Sequence, residues 1–273
     1  GSVRDNPHLE ILECCQCSLV FLSSLNHVDE ADYRQFGMHE GVPPSVEQRL
    51  SEANRDDQRR YEFIETRVAG KTLLDFGCGA GGFLEKIKAN CSRAAGVEVE
   101  EVLHESFSER DLQVARSLGE AESFCAKWDY ITAFHVVEHL NDPGTVLKKL
   151  AEMLAPDGSL IIEVPSSEDI LLTTYGCSDF QAFTYWSKHL FLFNTKTLKI
   201  LASKAGLSVD WIEGVQRYPL SNHLYWLAKG KPGGHDHWEF LNRADLETAY
   251  SEVLSKIGGT DTLIACFRKG MID

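Results

Sequence analysis

The sequence lacks the features that would place a protein in a membrane or on nucleic acid. It has no apolar run of membrane-spanning length and no signal-peptide pattern. It is also poor in basic residues, with 27 Lys and Arg against 41 Asp and Glu and a net charge of −14. The clearest basic group, Arg55, Arg59 and Arg60, is interrupted by Asp56 and Asp57, whereas a nucleic-acid surface needs clustered cations. We therefore expect a cytoplasmic protein with no membrane span and no nucleic-acid partner.

The cysteine pattern is too sparse to complete a metal centre. Cys14-x-x-Cys17 supplies half of the four ligands that a structural zinc ion needs, and no second pair lies nearby. The pair is either half of a zinc site or part of a β-hairpin with free thiols, and we assign no metal ligands. The other cysteines lie mostly in apolar contexts, which favours reduced thiols over a disulfide framework.

The central stretch of the chain is residues 72–83, Thr-Leu-Leu-Asp-Phe-Gly-Cys-Gly-Ala-Gly-Gly-Phe. A short apolar run ends in an acid, and glycines then open an apparent helix. This pattern predicts a strand, a turn and a helix N-terminus, where small residues let a ligand contact the backbone.

Two acids indicate which ligand this turn binds. Gly77, Gly79 and Gly82 satisfy G-x-G-x-x-G, so a dinucleotide must be considered. Asp75, however, would repel a pyrophosphate and suits a ligand that carries an ammonium group. Glu98 ends the predicted second strand, at a spacing that suits a carboxylate accepting ribose hydroxyls. An amino acid joined to a nucleoside meets both demands; a tight turn without a cofactor is the alternative.

Strands and helices alternate through the rest of the chain, as a parallel sheet requires. A charged helix over residues 45–68 precedes the first strand, with Leu50, Tyr61, Ile64 and Val68 as its candidate buried stripe. The further predicted elements are a helix at 100–109, strands at 113–116 and Trp128–Phe134, a helix that starts at Asp142-Pro143, a strand at 159–165, a helix at 195–205 capped by Asn194, and strands at Leu207–Val215 and 260–267.

The glycine-rich stretch and the two acids resemble motif I of the class I S-adenosylmethionine (SAM) methyltransferases. The resemblance implies an α/β, Rossmann-like fold: a seven-stranded sheet with helices on both faces and an antiparallel last strand. Residues 1–44 would be an N-terminal extension and 45–273 the methyltransferase domain, with an insert at 216–259 between strands six and seven. It also implies SAM as the cofactor, S-adenosylhomocysteine as its product, and these contact residues: Asp75, Gly77, Cys78, Gly79, Gly81, Glu98, Phe134, His135 and Val136.

Residues 134–140, Phe-His-Val-Val-Glu-His-Leu, follow the fourth strand and resemble motif IV of the same family. The resemblance places His135 near the sulfonium of SAM and turns Glu138 and His139 towards the pocket. Titratable groups at a strand's C-terminal end are positioned for catalysis, so His135 and His139 are candidate catalytic residues. The alternative is that His139 caps or packs against the next helix.

Residues 185–194 resemble the segment that supplies a histidine base through Tyr-x-Glu-His in sugar methyltransferases. His189 matches that histidine, but Lys188 replaces the glutamate, so the proton-shuttle detail does not carry over. We expect His189, ahead of His139, to be the base, since a neighbouring lysine can lower a histidine pKa and keep the ring neutral. Tyr185 and Trp186 are candidate substrate contacts.

The insert at residues 216–259 is a candidate substrate cap, because ligands bind beyond the C-terminal strand ends of such sheets. A packing extension or a homodimer contact is the alternative. Its candidate substrate contacts are Arg217, Tyr218 and His223, and Arg217 would suit a phosphate or an acidic sugar. Residues 28–44 are expected to form a cover segment or a surface loop.

The expected reaction is O-methylation of a small molecule, with a nucleotide sugar or a surface-glycan sugar as the expected acceptor. The sugar inference depends on the His189 segment, the insert and the Cys14–Cys17 run, which resembles the second knuckle of the zinc ribbon in sugar C-methyltransferases. The chain ends soon after the predicted seventh strand, which disfavours C-methylation. The alternatives are a quinone-precursor O-methyltransferase, a SAM-binding regulatory domain without activity, and a dehydrogenase.

Overall fold

The computed structural model describes residues 2–28, 34 and 43–269 of the chain. Its strands are β1 (Ser2–Val3), β2 (Asn6–Glu13), β3 (Val20–Leu22), β4 (Thr72–Phe76), β5 (Arg93–Val97), β6 (Val114–Ala115), β7 (Trp128–Phe134), β8 (Leu154–Pro165), β9 (Phe191–Leu192), β10 (Leu207–Val215) and β11 (Thr262–Lys269). Its helices are α1 (Val46–Ile64), α2 (Gly82–Ile87), α3 (His104–Glu109), α4 (Leu118–Ala121), α5 (Pro143–Met153), α6 (Ser178–Thr184), α7 (Thr195–Lys204), α8 (Leu220–Lys229), α9 (Gly234–His237) and α10 (Ala244–Ile257).

A seven-stranded sheet forms the centre, in the order β10-β11-β8-β7-β4-β5-β6. Strands β4 to β8 pair in parallel, and β11 runs antiparallel to both β8 and β10. The Rossmann-like α/β fold with an antiparallel last strand is therefore confirmed. The strand order changes direction between β4 and β7, and in such sheets a crevice opens at this point beyond the strand ends.

Apolar runs fix the two central strands. Ile131 and Ala133 of β7, with Leu160, Ile162 and Val164 of β8, are all 0% exposed. Strands of a parallel sheet that are covered by helices on both faces read as near-continuous hydrophobic sequence, which is why both were recognisable. This rigid centre holds the carboxyl ends of β4, β5 and β7 at one edge.

The N-terminal segment forms a separate four-stranded sheet, β1-β2-β3-β9. Strand β3 pairs with β9, and the Asn194 amide donates to the carbonyls of Cys17 and Ser18 at 3.4 and 3.1 Å. Cys14 and Cys17 lie in the turn of the β2–β3 hairpin, where backbone hydrogen bonds at Gln16 and Cys17 lower the pKa of Cys14. The hairpin exists, whereas the zinc half-site stays a prediction.

Helix α1 begins with a capping box, in which Ser45 and Gln48 each bond the other's backbone N–H. Of the predicted stripe, Ile64 is fully buried and Leu50 and Tyr61 are half-buried, whereas Val68 is buried but follows the end of the helix. Asp57 of the same helix is also buried, at 5% exposed. The inward face of α1 is therefore partly charged, because it borders the functional cleft.

The insert after β10 carries helices α8, α9 and α10. Within the described part of the chain, no helix has both the length and the apolar character needed to cross a membrane. The expected cover segment at 28–44 falls largely on residues 29–33 and 35–42, which lie outside the described residues.

Candidate active site

A cleft of about 850 Å³ lies at the carboxyl ends of β4, β5 and β7. Its volume is in the range of small-molecule sites. The last residues of these strands, Phe76, Val97 and Phe134, all line it. The other principal lining residues are Arg49, Glu52, Asp56, Asp57, Arg60, Gly77, Cys78, Gly79, Gly82, Glu98, Glu100, His135, Val136, His139, Leu140, Asn141, Asp142, Arg217 and Tyr218.

The turn after β4 exposes bare backbone to this cleft. Gly77 and Gly79 have φ of +73° and +52°, which glycine adopts without strain. A side chain at Gly77 would collide with Val136, whereas a Cβ on Gly79 would meet no protein atom within 4 Å. Gly79 therefore leaves room for a ligand. Gly81, expected to contact the cofactor, does not line the cleft; it is the N-cap of α2 and packs towards Leu112.

Glu98 stands at the end of β5 beside this turn. Its two carboxylate oxygens accept the N–H groups of Gly79 and Glu100, each at 2.9 Å. Burial raises the pKa of Glu98. Arg49 of α1 binds Glu100 through two contacts of 2.7 Å, which fixes the neighbouring wall. A fixed carboxylate with free lone pairs suits the ribose hydroxyls of a nucleoside, so this wall fits the adenosine part of SAM.

Asp75 differs from the expectation of direct ligand contact. It is 3% exposed, accepts a hydrogen bond from the Thr132 hydroxyl at 2.7 Å and does not line the cleft. Burial raises the pKa of Asp75 to about 7. Asp75 therefore lies behind the glycine turn and not in the wall of the cleft. Cys78 does line the cleft, and burial raises the pKa of its thiol, which stays protonated.

His135 is held on both ring nitrogens. Its Nδ1 lies 3.0 Å from Glu138 Oε1, and its Nε2 lies 3.2 Å from Glu163 Oε1 and 3.0 Å from Arg217 Nη1. Burial and Arg217 lower the pKa of His135, but the two carboxylates outweigh them and raise it. Backbone φ at His135 is +54°, in the left-handed region. With both nitrogens occupied, His135 is a positioning residue and a poor candidate for the base.

Arginines of α1 neutralise the buried acid Glu163, a feature that the sequence analysis missed. Arg59 and Arg60 donate to Glu163, which is 0% exposed, at 2.8 and 2.7 Å. Asp56 of the same helix binds Arg217 of the insert. The available signal was the spacing of Asp56, Arg59 and Arg60, which places them on one face of a helix.

Glu138, His139 and His189 form a compact cluster next to the cleft. His139 lines the cleft, and the His189 ring lies behind it with the two ring centroids 5.1 Å apart. Burial lowers the pKa of His139; burial and the neighbouring His139 lower the pKa of His189 to about 3. Burial, and not Lys188, is thus the main cause of the neutral rings. A pKa near 3 makes His189 a weak base at neutral pH.

Three predicted substrate contacts lie away from the cleft. Trp186 packs edge-on against His189 and under the Arg4 guanidinium, and Tyr185 precedes it on the same segment. His223 is 1% exposed and its Nδ1 lies 2.8 Å from the Tyr250 hydroxyl. These residues do not line the cleft, whereas Arg217 and Tyr218 do, so their contact with a substrate stays a prediction.

Comparisons with known proteins agree with this geometry. A family model described as "Methyltransferase domain" matches residues 47–210. The ubiquinone biosynthesis O-methyltransferase of Thiobacillus denitrificans is 26% identical over 223 residues, which cover 72% of this chain and 91% of that protein. Among solved structures, a SAM-dependent methyltransferase from Archaeoglobus fulgidus has a TM-score of 0.51 at 21% identity, over 82% of this chain and 95% of that one. A second solved structure is a chain from the complex of the Haloferax volcanii Trm112 methyltransferase activator with a methyltransferase. It has a TM-score of 0.55 at 16% identity, and the match covers 84% of this chain and 100% of that one.

The family match covers more than half of the chain, and the cleft has the bare backbone turn and the ribose-type carboxylate that the cofactor needs. The solved structure from Archaeoglobus fulgidus shares the overall fold of this chain. The chain belongs to the methyltransferase domain family and is a class I enzyme whose cofactor is S-adenosylmethionine.

Proposed function

We propose that this enzyme transfers the methyl group of SAM to a hydroxyl oxygen of a small hydroxylated acceptor. The observation that carries the proposal is the position of His139: its side chain lines the same cleft as Gly79 and Glu98. The cofactor turn and a neutral imidazole therefore share one cavity. The named relatives, which are O-methyltransferases, support oxygen as the atom that is methylated.

We assign the cofactor contacts to residues of this chain as follows. The Gly77–Gly79 backbone holds the methionyl end, and Glu98 accepts the ribose hydroxyls. Bound SAM supplies an electrophilic methyl group, so the protein mainly has to align the acceptor oxygen with it. Alignment of this kind is worth roughly 7–11 kcal/mol of the barrier. Contacts with the buried carboxylates of Glu138 and Glu163 fix the His135 side chain in the wall of the cleft.

The acceptor side of the cleft favours a sugar. Tyr218 is 40% exposed and presents an aromatic ring at the rim, and Asn141 offers an amide. Aromatic faces and amides are the groups that bind sugar rings and hydroxyls. Arg217 does not serve a phosphate here, because each of its guanidinium nitrogens already contacts Asp56 or His135. We therefore propose a sugar unit, free or carried on a nucleotide, as the acceptor.

A quinone-precursor phenol is the second candidate, and the relatives favour it. Eight relatives at 26–28% identity carry the name ubiquinone biosynthesis O-methyltransferase. Ten of the thirty residues that line the cleft are Asp, Glu or Arg, which argues for an acceptor with polar groups, and a dihydroxylated benzoate has such groups.

The test is incubation of the enzyme with labelled SAM and two acceptor panels, nucleotide sugars with free sugars and dihydroxylated benzoates, read by mass spectrometry. A methyl ether formed on a sugar supports the first candidate, and one formed on a phenol supports the second. Methylation only on nitrogen or carbon atoms of a wider panel overturns the oxygen assignment. Calorimetry with SAM alone checks the cofactor separately.

A further inference from the structure

The cluster of Glu138, His139 and His189 has the composition of a metal site. One potential ligand atom from each side chain lies within 4.8 Å of the others. Among the described residues, no other group of three His, Cys, Asp or Glu side chains has this spacing. Glu138 is 0% exposed, and its Oε2 has no hydrogen-bond partner in the described chain. A buried carboxylate oxygen without a partner is costly, which calls for a ligand at this position.

Hydrogen bonds at the far side of both rings set the tautomers. His139 Nδ1 lies 2.6 Å from the Lys188 carbonyl oxygen, and His189 Nδ1 lies 3.2 Å from the Thr184 carbonyl oxygen. A carbonyl oxygen only accepts, so both Nδ1 atoms must carry the proton and donate. In the neutral rings each Nε2 then carries a lone pair. Histidine ligands of metals are oriented by this same kind of backbone contact.

These lone pairs converge on an anion. His139 Nε2 lies 3.7 Å from Glu138 Oε1, too far for a hydrogen bond and close enough for repulsion between a lone pair and a carboxylate. Glu138 is also fixed by the His135 Nδ1 contact at 3.0 Å, so it cannot turn away. A cation placed between the three groups turns this repulsion into attraction.

We propose that Glu138, His139 and His189 bind a divalent first-row transition-metal cation. Two imidazoles and one carboxylate are the donor set that such cations prefer, and imidazole disfavours Mg²⁺ and Ca²⁺. Bonds of about 2.0–2.2 Å bring the donors closer together than they stand here. Three protein ligands leave coordination positions open, and His139 places them at the wall of the cleft.

The catalytic role of this metal site depends on the proposed function. The acceptor hydroxyl takes an open coordination position, which lowers its pKa, and its proton passes to water in the cleft. The oxygen then forms a bond to the methyl carbon of SAM. The sulfur–methyl bond breaks with its electron pair on sulfur, so the products are a methyl ether and S-adenosylhomocysteine. His139 and His189 thus hold the cation and neither of them takes the proton.

Metal content decides the proposal without any activity assay. Tag-free enzyme with Cys14→Ser and Cys17→Ser, which removes the thiols of the hairpin turn, is stripped with chelator and dialysed against Zn²⁺, Mn²⁺ or Co²⁺. We expect about one cation per chain by mass spectrometry of the metal and a Co²⁺ absorption spectrum typical of nitrogen ligands. The melting temperature should rise with metal by mass action.

The matched variants are His189→Ala in the cluster and His8→Ala at an exposed position of β2. His8→Ala should bind as the parent does, and His189→Ala should lose at least tenfold in metal affinity. His189→Gln repeats the test with a side chain closer in size, and circular dichroism confirms that each variant folds. Equal metal content in parent and His189→Ala, or none in either, overturns the site. Metal binding without methyl transfer from SAM supports the metal site and contradicts the proposed function. Methylation that resists chelator and proceeds without bound metal supports the proposed function and contradicts the metal site.

Discussion

The guanidinium of Arg217 donates to the carboxylate of Asp56 through Nε at 3.0 Å and through Nη2. Asp56 belongs to α1 and Arg217 to the start of the insert, so one ion pair joins the two segments that flank the cleft. Burial would raise the pKa of Asp56, but Arg217 outweighs burial and holds it at about 2. Since the pKa is lowered, the stabilisation is complete above the ordinary value near 3.8 and is lost as pH falls towards 2.

The first prediction concerns this pair. Asp56→Asn and Arg217→Gln should each destabilise the fold, while the double variant should lose less than the sum of the two. We expect a coupling energy of about 2 kcal/mol, which corresponds to the lowered carboxyl pKa. Urea unfolding of all four proteins at pH 7 measures it. Additive losses would show that the pair contributes no stability of its own.

The second prediction concerns the glycine turn. Gly79→Ala places a methyl group in the open space of the cleft and should weaken SAM binding by more than tenfold in calorimetry. Gly70→Ala is the matched control, because Gly70 also has a positive φ of +70° and no atom within 4 Å of its Cβ position. Both substitutions should cost about 1 kcal/mol of stability from backbone strain. Unchanged SAM affinity in Gly79→Ala would remove this residue from the cofactor site.

The third prediction concerns the ribose carboxylate. Glu98→Ala removes an acceptor that also fixes the Gly79 and Glu100 N–H groups. The SAM dissociation constant should rise about 10- to 100-fold, as expected when a charged hydrogen-bond acceptor is lost. Glu101→Ala, at an exposed position three residues further on, should leave binding unchanged. Equal affinities for the two variants would contradict the assignment.

The fourth prediction concerns turnover. His189→Ala should lower turnover by two decades or more while SAM affinity stays nearly constant, because His189 contacts His139 and not the cofactor wall. Single-turnover kinetics beside SAM calorimetry separate the two quantities. His8→Ala serves as the control, and parent-like turnover of His189→Ala would show that His189 takes no part in methyl transfer, whether as a base or as a ligand of the proposed cation.

The fifth prediction concerns stability against pH. Asp169 is 3% exposed, and burial, with the nearby Asp261, raises its pKa to about 7. The folded state therefore binds a proton that the unfolded state releases above about pH 4, so this group lowers stability as pH rises to 7. The free energy of unfolding of Asp169→Asn, relative to that of the parent, should increase by about 2 kcal/mol between pH 5 and pH 7. Above pH 7 the difference should stay constant.

Chemical unfolding at pH 5, 6, 7 and 8 measures this difference for Asp169→Asn. Asp157→Asn, at an exposed position near the start of β8, should follow the parent throughout. A difference between Asp169→Asn and the parent that does not change with pH would show that Asp169 is already ionised in the fold at pH 5.

Elements that depend on local chemistry were predictable from the sequence. The Asp142-Pro143 start of α5 and the Asn194 cap of α7 occur as predicted, because a cap side chain bonds its own backbone N–H groups within one turn. Long apolar runs identified β7 and β8 for a similar reason, since both faces must be covered. The cofactor turn was recognisable because few residues other than glycine tolerate its backbone conformation.

Side chains whose roles depend on distant partners were not predictable in this way. His223 was predicted to contact substrate because it lies in the insert, yet it is buried against Tyr250. Arg59 and Arg60 were noted only as a basic group too interrupted for nucleic-acid binding, but they neutralise Glu163, which is more than a hundred residues away. Trp186 packs on Arg4 of the turn between β1 and β2, a contact that no local pattern encodes.

The sequence by itself determined the fold class, the cofactor turn and the family, because each depends on backbone geometry and burial that short patterns record. Only the tertiary structure decided which charged groups face one another. It placed Glu138, His139 and His189 within ligand distance by bringing the end of β7 against the segment before β9. The interaction of charges falls with distance in space, and distance in space is set by folding and not by separation along the chain.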